Sequence, residues 1–438
     1  MTILTKEEAK KIIDKVLSFS KADEMSVALS GGRTGNIRYA RNSVSTSGES
    51  YNLSLSITAV FGKRSGTSTI NEFDDKSLEK AVRRAEEIAR LAPENPEFVP
   101  ALGPQQYVES ASFSQKTADI SPDYRANAAF DSIDPCSKKN LTAAGYMEDR
   151  TGFNAIGNSK GLFGYNKATS VDFSITVRTA DGLGSGYAIR DFNDVSKLST
   201  KQATEIAMQK AMASTSARAL EPGKYTVILE PAASIDLLQN MMRSMDARTA
   251  DEGRSFLSKK GGGIRLGEKL FDERVNIYSD PMNLEIPGSP FAGDGRPQEK
   301  VFWIENGVVK NLTYSRFWAE KKGVKAVPNP GGFIMMGGTE SLADLIKGTE
   351  KGILVTRFWY IRAVDPQTLL YTGLTRDGTF YIENGQIKYP IKNFRFNESP
   401  VIMLNNLEAM GKPTRIGGSL VPPLKIRDFT FSSLSDAV

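Results

Sequence analysis

Carboxylates, lysines, tyrosines and one thiol, Cys136, are the side chains with which this chain could attack a substrate or move a proton, because its 438 residues include no histidine. Without an imidazole, no Ser-His-Asp or Cys-His arrangement can deprotonate a nucleophile. Zinc loses its nitrogen ligands, and a single cysteine cannot build a thiolate-rich site alone. Catalysis would have to rest on carboxylates, Lys, Tyr or backbone dipoles. No metal and no cofactor are expected.

The candidate groups are few. Asp246, Asp251 and Glu252 are spaced closely enough to be imagined as an oxygen-only metal site. Arg243, Arg248 and Arg254 flank them, which favours ion pairs on a solvated or subunit-facing surface. Cys136 is followed by Lys138 and Lys139, which would lower its pKa, yet a lone thiol without a base reads as inert. Gly261-Gly262-Gly263 lacks the Lys-Ser/Thr of a phosphate loop and reads as a flexible connection. Asn329, Gly331, Gly332 and Phe333 lead into Met335-Met336-Gly337-Gly338. Such a glycine-lined edge can accept an extended peptide by strand addition, and ordinary turn chemistry accounts for it as well. Trp303, Trp318 and Trp359 read as core or cleft wall, with core favoured.

Composition narrows the surroundings. Lys and Arg exceed Asp and Glu by 56 − 51 = 5, and these charges are interspersed, so a solvated surface is expected and not a nucleic-acid footprint. No apolar run approaches the ~18 residues needed to span a bilayer. Lys6-Glu7-Glu8 interrupts the start of the chain where a signal peptide would carry its apolar stretch. One cysteine permits no internal disulfide, which suits a reducing compartment. The expected location is the cytoplasm.

These residues must be positioned by a recognisable series of elements. Thr5-Lys6-Glu7-Glu8 has the form of a capping box, followed by Ala9, Ile12, Ile13, Val16 and Leu17 at helical spacing. Gly31-Gly32 suggests a hairpin between Met25–Leu29 and Asn36–Ala40, and Leu53, Leu55 and Ile57 alternate with polar residues as a half-buried strand does. A second helix after Asp74-Asp75 stops before Pro93. The plan then repeats: a helix from Asp123 to about Ile133, ending at Pro135, strands around Leu141–Met147, Phe153–Ile156 and Val171–Val177, and a helix capped by Ser199 and running to about Ala217. Two α+β layers, or two halves of one larger sheet, are expected. After Pro222-Gly223 the texture is β-rich, with a helix over Ile235–Met245 and two matching segments, Phe302–Gly307 and Phe380–Gly385, whose Asn-Gly pairs predict tight hairpins. The fold class is α+β: helix-flanked sheets from αβ units at 1–97 and 98–220, then a barrel-like β-rich unit at 221–438.

Several stretches together resemble the TldD/TldE family, whose TldE branch is also called PmbA. They are Arg38–Ser43, Gly62–Gly66, Ala89–Pro93, Asn158–Gly161, Leu220–Tyr225, Ile304–Gly307, Pro328–Gly332 and Gly352–Val355, spread in order across nearly the whole chain. The resemblance implies a family of metallopeptidases, long labelled modulators of DNA gyrase. Its TldD members carry a His-Glu-x-x-x-His helix and a distal cysteine that hold the metal. TldD pairs with TldE, a paralogue without that motif, to degrade unfolded peptides and trim precursor peptides.

Here the motif positions fall on Leu237, Leu238 and Met242, replacing the two histidines and the glutamate, and the stretch around Pro413–Leu420 contains no cysteine. Leucine offers no lone pair, and a thioether suits a hydrolytic zinc poorly. The expectation is a TldE-like, non-catalytic subunit that completes the peptide-handling chamber of a TldD-type zinc peptidase. The alternatives are a peptide-binding homodimer without enzymatic activity and a residual peptidase using carboxylate-bound metal. The expected partners are a TldD-like subunit or a second copy, and an extended peptide; neither nucleic acid nor membrane is expected.

Overall fold

The computed structural model describes residues 3–435, so the outermost positions of the first and last units lie outside the described residues. Six long strands, β1 (Glu24–Ala40), β2 (Ser43–Phe61), β3 (Arg64–Ile70), β4 (Leu141–Asn158), β5 (Phe163–Thr179) and β6 (Ser185–Phe192), form one antiparallel sheet. Their order is β3-β2-β1-β4-β5-β6, so the two αβ units are halves of a single larger sheet. The seam is the β1–β4 pairing, which runs from Ser26 opposite Asn158 to Tyr39 opposite Gly145.

Helices α1 (Lys6–Ser18), α2 (Asp75–Leu91), the single turn α3 (Gln115–Ala118), α4 (Pro122–Lys138) and α5 (Thr200–Ala213) belong to this part. The Thr5–Glu8 capping box opens α1 as expected. Strand alternation sends Met25, Val27, Leu29, Ile57, Phe173 and Ile175 to one face, where α1, α2, α4 and α5 bury them. The opposite face carries Asn36, Glu148 and Asp172 side by side and has no helical cover from these elements.

Four expectations are corrected. Gly31 and Gly32 do not turn the chain; they lie inside β1, and the hairpin is at Arg41 and Asn42, both with positive φ (51° and 58°). A Cβ on Gly32 would sit 2.3 Å from the Thr151 carbonyl oxygen, so the glycines permit close approach of β4. The strands expected at Leu141–Met147 and Phe153–Ile156 are one, β4. α4 continues through Pro135 to Lys138, since a proline in the last turn removes only one backbone bond, while α5 stops at Ala213, short of Ala217.

The C-terminal part begins with β7 (Gly223–Leu229), α6 (Pro231–Arg243) and α7 (Ala247–Asp251). It continues with β8 (Ile277–Ser279), β9 (Val301–Glu305), β10 (Val308–Val309), α8 (Arg316–Lys322), β11 (Ile334–Met335) and α9 (Leu342–Lys347). Then come β12 (Lys351–Asp365), β13 (Leu370–Glu383), β14 (Gln386–Pro390), β15 (Phe394–Glu398) and α10 (Pro400–Asn405). β16 (Leu407–Met410), β17 (Thr414–Ile416), β18 (Ser419–Val421) and β19 (Leu424–Leu434) complete it. Strands β12, β7, β19, β15 and β13 pair in succession, and β12 also pairs β13, which closes a five-strand barrel. Phe394, Phe396, Phe429 and Phe431 fill it, with the Phe394 and Phe431 rings stacked at 4.6 Å. Both Asn-Gly pairs are the expected tight turns, with φ of 51° and 74° at Asn306-Gly307 and 50° and 72° at Asn384-Gly385. A smaller sheet of order β10-β9-β8-β11-β18-β17 lies beside the barrel.

One buried ionic group pins α4 to the sheet. The Arg125 guanidinium, almost wholly buried, donates to Asp149 Oδ1 at 2.7 Å and to Glu49 Oε2 at 3.0 Å. Gly35 makes room for it, since a Cβ there would lie 2.0 Å from Arg125 Nη1. Removing Arg125 would leave Asp149 and Glu49 only the longer Arg33 contacts, at 3.3 and 3.7 Å, and breaking a buried pair costs up to roughly 3–5 kcal/mol. Arg125→Met should therefore lower the urea midpoint strongly, and the double change Arg125→Met with Asp149→Leu should recover much of the loss.

Candidate functional site

α6 has two chemically different faces, and its packing decides which one is available. Leu237, Leu238, Met241 and Met242 are buried in the apolar core shared by the barrel and the smaller sheet, together with Val227, Val355 and Leu257. Residues at i, i+3, i+4 and i+7, namely Asp236, Gln239, Asn240 and Arg243, face the other way. The start is set by Pro231 at the first helical position, earlier than the expected Ile235, and the end at Arg243 falls short of Met245.

That polar face forms one wall of a cleft of about 410 Å3. Tyr187 and Ile189 of β6 bring the helix-free face of the large sheet to it, β12 contributes Arg357 to Ile361, and Ile416 and Gly417 close the end. Arg415 fastens this end wall to β6, donating through Nε to Asp191 at 2.9 Å and through Nη1 to the Asn193 side chain at 2.7 Å. The Arg357 guanidinium stacks on the Tyr187 ring at 3.7 Å and donates from Nε to Asp377 Oδ2 at 2.6 Å. Asp377 itself holds a positive φ of 55° and accepts the Ser185 hydroxyl. A bulge in β12 between Trp359 and Arg362 turns Trp359 and Tyr360 outward, with Tyr360 at φ 56°. A non-glycine residue in that region costs about 1 kcal/mol or more, and such outliers concentrate at binding sites.

Asp236 is the one carboxylate lining the cleft, and among the described residues it makes no ion pair or side-chain hydrogen bond. Burial pushes its pKa up to about 6, with Arg357 pulling in the opposite direction. A group of that kind can hold or release a proton near neutrality. No second carboxylate and no activated nucleophile lines the cleft beside it.

The candidates read from the residues are scattered. Asp246 caps α7 through Thr249, Asp251 accepts from the Trp318 indole at 2.7 Å and pairs with Lys322, and Glu252 pairs with Arg248 and Arg254. They serve three separate ion-pair or capping roles and do not converge. Cys136 is wholly buried, and burial pushes its thiol up to about 11 despite Lys139. Gly261, Gly262 and Gly263 all carry positive φ in a turn between Ser258 and Ile264. Trp303 and Trp318 are core residues, whereas Trp359 is 43% exposed in the cleft. Asn329 and Gly331 are exposed; Gly332 packs against Gly418, and Phe333 is buried with its backbone bonded to Ser419 and Leu420. β11, which follows, already has β8 and β18 on its two sides, so strand addition in this stretch would have to engage Asn329 and Gly331.

Tyr187, Asp236, Arg357 and Tyr360 were not singled out by the residues alone, whereas Arg243 was read only as a flank of the acidic group and Trp359 as core or cleft wall. The polar i, i+3, i+4, i+7 series on an otherwise apolar helix is the signal that could have found Asp236 and Arg243. Tyr187 comes from β6, 236 − 187 = 49 positions before Asp236, and Arg357, Trp359 and Tyr360 come from β12, at least 357 − 236 = 121 positions after it.

The framework is a helix-backed antiparallel sheet joined to a small closed barrel, with the cleft at their junction. Family models described as PmbA/TldA metallopeptidase domain 1, central domain and C-terminal domain match residues 26–89, 109–214 and 222–433. The chain belongs to the PmbA/TldD metallopeptidase family. It is 22% identical over 430 residues to the metalloprotease PmbA of Escherichia coli O157:H7, covering 94% of this chain and 91% of that protein. An uncharacterized protein of Methanocaldococcus jannaschii is 24% identical over 412 residues, covering 90% and 92%. Among solved structures, TldE from Thermococcus kodakarensis superposes with a TM-score of 0.88 at 18% identity, covering 97% of this chain and 99% of that one. A Thermotoga maritima protein described as a candidate modulator of a DNA gyrase gives the same TM-score at 17% identity, covering 97% and 100%.

The residues present do not fit the metal that the family name implies. No imidazole exists in the chain, and among the described residues no three Cys, Asp or Glu side chains are grouped to hold an ion. No helix of the described residues is long and apolar enough to cross a membrane.

Asp236 makes a prediction for pH. Its folded pKa is raised from 3.8 to about 6, so between those values the folded state keeps a proton that the unfolded state has released. Stability from this group is therefore present at low pH and is lost as pH rises through that window. Asp236→Asn should flatten the decline between pH 4 and 6 in unfolding midpoints measured across the range.

Proposed function

We propose that this chain is the non-catalytic, TldE-like partner subunit of a TldD-type zinc peptidase, contributing wall and binding surface where the other subunit contributes the metal. The observation that carries the reading is the helix α6. Its Leu237, Leu238 and Met242, which the family resemblance aligns with a metal-binding motif, are packed into the barrel core as apolar side chains. A catalytic helix must turn its ligands to a water-filled cavity; this one turns them inward and leaves amides and charges outside. Membership of the peptidase family and a fold shared with a TldE support the pairing.

In the same reading the substrate is an unfolded or precursor peptide handled in the cytoplasm, and residues 1–97, 98–220 and 221–438 are the units of the subunit. Asn329 and Gly331, with Gly332 and Phe333 behind them, are a second place on this surface for extended chain. Co-expression with a TldD-type protein, followed by pull-down and an assay of unfolded-peptide cleavage, tests the proposal. The pair should associate, and cleavage should fall by at least ten-fold when this chain is omitted. A partner that is fully active alone and does not bind this chain would sink it.

A further inference from the structure

The cleft beside α6 has an arrangement that the subunit reading does not use. Asp236 and Arg243 lie on one face of the helix two turns apart, about 10 Å along its axis at 1.5 Å per residue. One is a carboxylate and the other a guanidinium, and neither forms an ion pair with any described residue. Between them, Gln239 and Asn240 have their amide nitrogens occupied. Gln239 Nε2 donates to the Gly417 carbonyl at 3.2 Å and Asn240 Nδ2 to the Asp236 carbonyl at 2.9 Å. Their side-chain oxygens accept no hydrogen bond from the described residues, so both are free acceptors on the cleft wall.

The facing wall is aromatic and edged by arginines, with Arg376 over the Trp359 ring at 4.0 Å and Arg362 over the Tyr360 ring at 4.4 Å. Arg357 pairs with Asp377 and lies flat on Tyr187. Trp359 and Tyr360, 5.6 Å apart between ring centres, stand 43% and 55% exposed at the bulge, held there by a backbone conformation that needs external support. Exposed aromatic rings opposite unsatisfied amide acceptors are complementary to a backbone with N–H donors and at least one apolar side chain. About three residues of extended chain cover the distance between the two charges, at 3.3–3.6 Å each.

We propose that this cleft binds a short free peptide of about three residues by both ends, its α-ammonium on Asp236 and its α-carboxylate on Arg243. Gln239 and Asn240 accept from its backbone N–H groups, and Trp359 and Tyr360 cover its central side chain. A blocked peptide loses one charged contact at each modified end, and a longer one overshoots Arg243. The site thus selects short products or fragments over the chains from which they come. This deepens the peptide-handling reading and takes from it only the class of ligand.

The test is calorimetry on the full chain alone at neutral pH, with Ala-Phe-Ala as probe beside its N-acetylated and C-amidated forms. Saturable binding of the free tripeptide is expected, weakened at least about ten-fold by either block, the scale of one charge-assisted contact. Asp236→Asn should weaken the free tripeptide to the level of the acetylated one and leave the acetylated one unchanged; Arg243→Gln should do the same for the amidated form. Both substitutions are on the cleft-facing side of α6, with Asp236 half-buried and Arg243 exposed, and circular dichroism confirms that the variants fold. Absence of saturable binding, or equal affinity for free and blocked peptides, overturns the proposal. Because no second subunit enters this measurement, its failure leaves the subunit pairing to stand or fall on co-expression.

Discussion

Burial of one face of α6 against the barrel and the smaller sheet is the interaction on which the functional surface depends. Leu237, Leu238 and Met241 are wholly removed from water, each contributing roughly 1.5–3 kcal/mol relative to exposure. A helix committed that strongly on one side has no rotational freedom left. The registry that hides these residues is the same registry that aims Asp236, Gln239, Asn240 and Arg243 at the cleft. Moving the helix by a quarter turn would expose leucine and bury arginine, a double penalty. The polar face is therefore a consequence of the apolar one.

The second wall of the cleft has a different origin. The six-strand sheet keeps four helices on one face, so its other face is free to meet the C-terminal part. The contacts that fasten the two parts are polar and specific: Arg415 to Asp191 and Asn193, Arg357 on Tyr187, and the Ser185 hydroxyl on Asp377. Charged groups used this way hold orientation more than they add stability. They place β6 against α6 with side chains from both facing a common space.

The same arrangement bears on the metal chemistry that the family is named for. A hydrolytic zinc needs nitrogen, sulfur or carboxylate ligands converging on one point. Here α6 buries Leu237, Leu238 and Met242 in the core, and the acids that follow it are dispersed into a cap, an indole contact and arginine pairs. What the fold provides beside α6 is a cleft of about 410 Å3 lined by one half-buried carboxylate, Asp236.

Local patterns in the sequence were enough to specify the secondary elements wherever a single contact rule governs them. The Thr5–Glu8 cap, the alternation in β2 and β5, and the Asn-Gly turns are all settled within a few residues by backbone geometry. Composition alone removed histidine-based catalysis, and the order of motifs carried the family and its α+β class. What the sequence misread were glycines and breaks whose meaning is non-local. Gly31 and Gly32 serve a neighbour more than 100 positions away, and β4 runs on where two strands were expected. Tertiary structure alone decided which face of α6 meets water, that β12 pairs both β7 and β13 to close the barrel, and that Tyr187, Asp236 and Trp359 share one cleft. Those outcomes depend on burial summed over distant elements, and no stretch of chain records such a sum within itself.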